Sequence, residues 1–244
     1  VIVMFLLIVY IIFPENEFYL GSPQNTSFPS YSNESNIQFY PNLRFSEKEV
    51  SYSIIGSCSL KEKNNIEDAF SILVNLTILS FSFVPEGGQI KVDCTKKDVQ
   101  ELDSAGFFIA GEGGPTNITI TSNFNIINYG VILLIRESYC PKPNVEIHEI
   151  LHVLGFKHSS NRDSIMYSVT KCSQVITDDI VEEINRIYSI PSLPDLAIEN
   201  FSVRAKGRIV EVGFNVINEG LKESQTSDII IYINNREFKR YSLK

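Results

Sequence analysis

Between Val50 and Tyr188 the apolar positions change period several times, and each change marks an element. Val50-Ser51-Tyr52-Ser53-Ile54-Ile55 alternates as a strand should. From Asn65 to Leu76 the apolar residues are Ile66, Ala69, Phe70, Ile72, Leu73 and Leu76, which is helical spacing. Leu79 to Val84 and Gln89 to Cys94 read as two strands, split by the turn Pro85-Glu86-Gly87-Gly88. Gly106 to Ala110 reads as a short apolar strand, followed by the turn-rich Gly111-Glu112-Gly113-Gly114-Pro115. Val131 to Ile135 is an almost wholly apolar strand. Ile180, Val181, Ile184 and Ile187 give a last helix its apolar face, with Thr177 as N-cap, Asp178 and Asp179 in the first turn, and Pro191 and Pro194 behind it. From Asp195 only strand-like runs remain: Leu196 to Val203, Ile209 to Ile217, Ile229 to Ile233 and Phe238 to Leu243, with Asn234-Asn235 as a turn. The pattern predicts an α+β domain followed by a β segment.

The stretch from Val145 to His158 predicts the other helix, and it carries the chemistry. Ile147, Ile150, Leu151 and Leu154 form one apolar stripe. With His148 at zero on the helical wheel, His152 falls near ~40° and Glu149 near ~100°, on the opposite side. His158 cannot meet the other two from a continuous helix, because it would lie ~15 Å along the axis. Gly155 removes that difficulty, since a glycine after the last turn takes the left-handed conformation and reverses the chain. All three histidines of the chain are in this segment. Three neutral imidazoles that leave one position open are the ligand set of a catalytic zinc. Glu149, beside the ligands but not among them, is placed to take a proton from water at the metal. A polar helix face carrying a chance His-Glu-x-x-His is the plain alternative, and the third histidine and Gly155 weigh against it.

His148-Glu149-x-x-His152-x-x-Gly155-x-x-His158, followed by Ser164-Ile165-Met166-Tyr167, resembles the metzincin zinc endopeptidases. Ser159 after the third histidine, with Ile165-Met166-Tyr167, is similar to the matrixins, the matrix metalloproteinase family. The resemblance implies an α+β metzincin catalytic domain: a mixed twisted sheet, a zinc helix, a methionine turn and a C-terminal helix. It also implies zinc held by His148, His152 and His158, Glu149 as general base, Met166 as the floor beneath the metal, and a protein or peptide substrate. Tyr167 directly follows Met166, whereas a tyrosine that reaches zinc in this clan is one residue further on, so it is not counted as a ligand. An extended substrate would add to an exposed sheet edge, with Gly106 to Ala110 the expected one. Pro194-Asp195-Leu196 with Asn218-Glu219-Gly220 resembles a CARDB-type, immunoglobulin-like β-sandwich, of which residues 195–244 would be a part.

The remaining features set boundaries and compartment. A net charge of −8 supplies no basic footprint for nucleic acid. Val1 to Phe13 is apolar except for Tyr10, and the first basic residue is Arg44. Residues 1–20 are therefore expected to be a signal peptide or membrane anchor with the chain beyond them outside the cytoplasm. Residues 21–44 read as a linker, 45–190 as the catalytic domain. No cysteine stands before Cys58 in these residues to act as the latency cysteine of a matrixin pro-segment. Cys58, Cys94, Cys140 and Cys172 allow three disulfide connectivities, or four buried thiols. Cys140 lies just before the zinc helix and Cys172 just after the methionine turn, which favours Cys140–Cys172 and leaves Cys58–Cys94. The expected function is a secreted or membrane-anchored zinc endopeptidase; the alternative is a catalytically silent adhesion protein on the same scaffold.

Overall fold

The computed structural model describes residues 3–10, 37–56, 58–95, 110–137 and 140–243. In chain order its elements are β1 (Val3–Tyr10), β2 (Leu43–Phe45), β3 (Glu49–Gly56), α1 (Leu60–Leu76), β4 (Ser80–Phe83), β5 (Ile90–Cys94), β6 (Gly111–Ile120), β7 (Asn125–Leu134), α2 (Asn144–Val153), α3 (Asp178–Tyr188), β8 (Leu196–Lys206), β9 (Ile209–Asn218), β10 (Ser227–Ile233) and β11 (Arg236–Leu243). They divide into two units, Asn33–Ser192, and Val1–Ser32 with Leu193–Lys244.

In the first unit, five strands run parallel in the order β2-β7-β5-β3-β4, with β2 and β5 pairing successive parts of β7. β6 pairs antiparallel along β7 and, among the described residues, pairs with no other strand. Parallel neighbours need a crossover, and α1 supplies the one between β3 and β4. This helix starts earlier than the apolar period suggests, because Ser59 and Glu62 form a reciprocal cap. Ser59 Oγ accepts from the Glu62 N–H at 3.2 Å and Glu62 Oε2 accepts from the Ser59 N–H at 2.6 Å. Ile66, Ala69, Phe70 and Leu73 of α1 share one core with Ile90 and Val92 of β5, Ile127 and Ile132 of β7, and Ile147, Ile150 and Leu151 of α2. The architecture is α+β, as the sequence pattern predicts.

Residues ahead of Phe45 belong to this unit as well. Arg44 is 1% exposed, lies 4.5 Å from the Tyr188 ring centroid, and donates to the carbonyls of Ile187, in the last turn of α3, and Ile190, just behind it. It thereby occupies carbonyls that a helix end leaves without partners. Gly111–Pro115, expected to be a turn, instead opens β6. Glycine there serves close approach: a Cβ on Gly113 would lie 2.5 Å from the Glu149 carbonyl oxygen, and one on Gly130 2.3 Å from Val153 Cγ1. The strand expected at Gly106–Ala110 falls at residues 106–109 outside the described residues; Ala110 is described and leads into β6.

Both disulfides are present, Cys58–Cys94 and Cys140–Cys172, with Cα separations of 5.0 and 5.1 Å. In the second unit β9 lies between β8 and β1, antiparallel to both, and β10 and β11 form a hairpin. Asn234 and Asn235 make its turn with φ of 51° and 60°, the left-handed pair that a type I′ turn requires. Val3–Tyr10, the heart of the expected signal or anchor, is the strand β1. No described helix is long and apolar enough to cross a membrane.

Candidate metal centre

Every residue of α2 is buried, so its two faces have two neighbours: the core on one side and the site on the other. The helix ends after Leu154 in a Schellman motif. Gly155 N–H donates to His152 O at 3.0 Å and Phe156 N–H to Leu151 O at 3.0 Å, with Gly155 at φ 98°. The chain reverses as Gly155 led one to expect, and His158 returns to the helix. The three Nε2 atoms then converge: His152 lies 3.0 Å from His148 and 3.2 Å from His158.

The outer nitrogens decide what these rings can do. His148 Nδ1 donates to Ile165 O at 2.7 Å and His152 Nδ1 donates to Phe156 O at 2.7 Å. A carbonyl accepts only, so each Nδ1 carries a hydrogen and each neutral ring turns a bare lone pair at Nε2. Two lone pairs 3.0 Å apart repel, and protonating one is opposed by burial. Burial, then the neighbouring His148, lowers His152 to about 4; burial likewise lowers His148 and His158. A cation between them resolves the conflict. For Zn–N bonds of ~2.0–2.1 Å in a tetrahedron the N···N edges would be about 3.3 Å. The spacing found here is close to that, so His148, His152 and His158 could hold zinc.

Glu149 lies beside the cluster, nearly buried, next to the start of β6: a Cβ on Gly111 would lie 3.0 Å from its Oε1. Burial first, then the carboxylates of Glu112 and Glu146, push its carboxyl up to about 8. The methionine turn closes the other side. Ser159 N–H donates to Met166 O at 2.8 Å, and Met166 and Ile165 are each 1% exposed. The expected site residues are therefore neighbours. Sequence reasoning missed two elements that border them. One is β6, whose opening Gly111–Pro115 was expected to be a turn. The other is the strap Ile37–Tyr40, read as linker: Phe39 N–H donates to Gly155 O at 2.8 Å and Lys157 N–H to Ile37 O at 3.0 Å. The alternating pattern of Ile37-Gln38-Phe39-Tyr40 was too short to distinguish from a linker.

A zinc-peptidase fold with a three-histidine cluster defines a class, and the family comparison narrows it. Residues 44–189 match the matrixin family, and the chain belongs to it. Matrixins are zinc-dependent peptidases, so a three-histidine site beside a glutamate is what membership calls for. No curated protein matches the sequence.

Proposed function

We propose that this protein is an extracellular zinc endopeptidase in which His148, His152 and His158 hold the metal and Glu149 is the general base. The observation that carries the reading is the convergence of three Nε2 atoms, 3.0 and 3.2 Å apart, on rings of which two, His148 and His152, have Nδ1 turned to carbonyl oxygens. When bound, zinc supplies a Lewis acid that polarises a carbonyl and acidifies water. Glu149 then accepts the proton of the attacking water and delivers it to the departing amine. Its carboxyl, held near 8 by burial, would exist as the acid without a nearby cation. A dication favours the carboxylate, which brings the group to the ionisation a base requires. An extended peptide would pair along the edge of β6 that faces away from β7, which carries no strand among the described residues and whose first residue lies against Glu149. Two disulfides among the described residues fit an oxidising compartment.

The test is zinc content together with peptide hydrolysis in the wild type, His158→Ala and Glu149→Gln. His158→Ala should lose metal and activity. Glu149→Gln should keep zinc and lose ~10²–10⁴ in rate. Wild-type protein that holds one zinc and cleaves no peptide would favour the silent adhesion reading instead.

A further inference from the structure

The strap Ile37–Tyr40 crosses Gly155, Phe156 and Lys157 in the segment that connects His152 to His158. It bonds to Gly155 and Lys157 on either side of an antiparallel bridge between Gln38 and Phe156. Gln38 points inward: it is 3% exposed, and its amide donates to Leu43 O at 2.7 Å while accepting from the Leu43 N–H at 3.3 Å. Leu43 in turn fills the space where a Cβ on Gly155 would sit, 2.7 Å from its Cδ2. With Gln38 anchored this way, its neighbour Phe39 is turned outward by the period of two. Phe39 remains 45% exposed, and its ring stacks on His152 at 5.9 Å between centroids and 23° between planes. Tyr40, 51% exposed, follows it.

A lone exposed phenylalanine needs no explanation. This one is held by its own N–H on Gly155 O and by the bond of Lys157 to Ile37 O two residues before it, against the ring of a candidate metal ligand, with apolar area left open. β6 borders the site at Glu149; Phe39 borders it at His152. We propose that Phe39 is a specificity-determining residue, the apolar wall of a subsite on the His152 flank that takes an aliphatic or aromatic side chain of an extended peptide substrate. The proposal rests on the peptidase reading above. It assigns the occupant from continuity: a peptide paired on β6 and passing the metal must leave the site along one of its flanks, and on this flank the strap presents an aromatic surface.

The test compares wild type, Phe39→Ala and Phe39→Leu on a peptide library, with cleavage sites read by mass spectrometry and zinc measured in each protein. Phe39→Ala should lower kcat/KM about ten-fold for peptides with an apolar residue at one position near the cleaved bond, mainly through KM. Peptides with glycine or serine there should be cut nearly as before, zinc content should be unchanged, and Phe39→Leu should restore the preference. An unchanged cleavage profile overturns the proposal, as does an equal fall for every peptide or a loss of zinc in both variants. A wild type that cuts no peptide overturns the peptidase reading and this proposal with it; a wild type that cuts with a profile indifferent to Phe39 overturns this proposal alone.

Discussion

The two disulfides close loops of nearly equal size, 36 and 32 residues apart in sequence, yet they hold different things. Loop-closure entropy makes each worth ~3–4 kcal/mol, which in a unit of this size is a loss of roughly 10 °C in Tm on removal. Cys58 precedes the cap of α1 and Cys94 ends β5, two elements that carry none of the three histidines. Cys140–Cys172 instead secures a path to His148. Beside Cys172, Lys171 O accepts from Asn144 Nδ2 at 2.8 Å and Lys171 N–H donates to Gln174 Oε1 at 2.8 Å. Gln174 Nε2 donates to Arg162 O at 3.2 Å and Val169 O at 3.0 Å. Val175 O accepts from Ile165 N–H at 2.7 Å, and Ile165 O accepts the Nδ1 hydrogen of His148 at 2.7 Å. Loosening outer partners of a ligating histidine typically costs ~10–100-fold in metal affinity. Cys140→Ser/Cys172→Ser should therefore lower Tm and also weaken zinc binding ~10-fold or more, whereas Cys58→Ser/Cys94→Ser should lower Tm by a similar amount and leave zinc affinity alone. The assay is competition with a chromogenic chelator at a temperature where both variants are folded. Equal zinc affinity in the two double variants would refute the argument, because the path through Ile165 would then carry nothing.

Three further outcomes are expected. In metal-free protein, by urea denaturation, wild type should lose ~2 kcal/mol of stability relative to Glu149→Gln between pH 6.5 and pH 8. Glu149 is raised to about 8 when folded, so its stabilising contribution is complete below the unfolded value near 4.5 and is lost as pH rises through 8, at ~1.4 kcal/mol per unit. Glu146, also raised, acts with the same sign in both proteins. As pH falls through 6.5 the lowered histidines act in the opposite direction in both, since the unfolded chain takes up their protons first, so the comparison isolates the Glu149 carboxyl. Gly113→Ala should cost ~1–3 kcal/mol or more and impair activity, while Gly114→Ala, with nothing within 4 Å of its added Cβ, should be tolerated; similar melting temperatures for the two would disprove the close-packing account. Glu146→Leu should be ~1 kcal/mol more stable than wild type at pH 8 and lose that advantage towards pH 4.5. Its carboxyl is 4% exposed with Oε2 unpartnered, among Ile66, Val92, Ile132, Leu134 and Ile150, and a destabilised variant at pH 8 would contradict this.

The parts of the site that could be read from the sequence are those whose causes are local. His148, Glu149 and His152 share a face because of the helical period, and the chain reverses at Gly155 through the bonds of Gly155 N–H to His152 O and Phe156 N–H to Leu151 O. Even the early start of α1 was written in Ser59 and Glu62, although the apolar period alone points to Asn65. What could not be read depends on neighbours distant in sequence. Gly111 and Gly113 look like turn residues because glycine most often relieves a left-handed φ, and Gly155 does so at 98°. The β6 glycines do something else: α2 lies so close that a Cβ at Gly111 or Gly113 would meet Glu149. One residue type thus has two causes in one site, and only the first leaves a trace in the residues beside it. The strap is hidden for the same reason, since Gln38 looks like a linker residue until Leu43 and Phe156 are seen to partner it. It follows that a motif in this chain predicts which groups could meet the metal, while the surfaces proposed to choose a substrate, β6 on one flank and Phe39 on the other, are set by contacts across the fold.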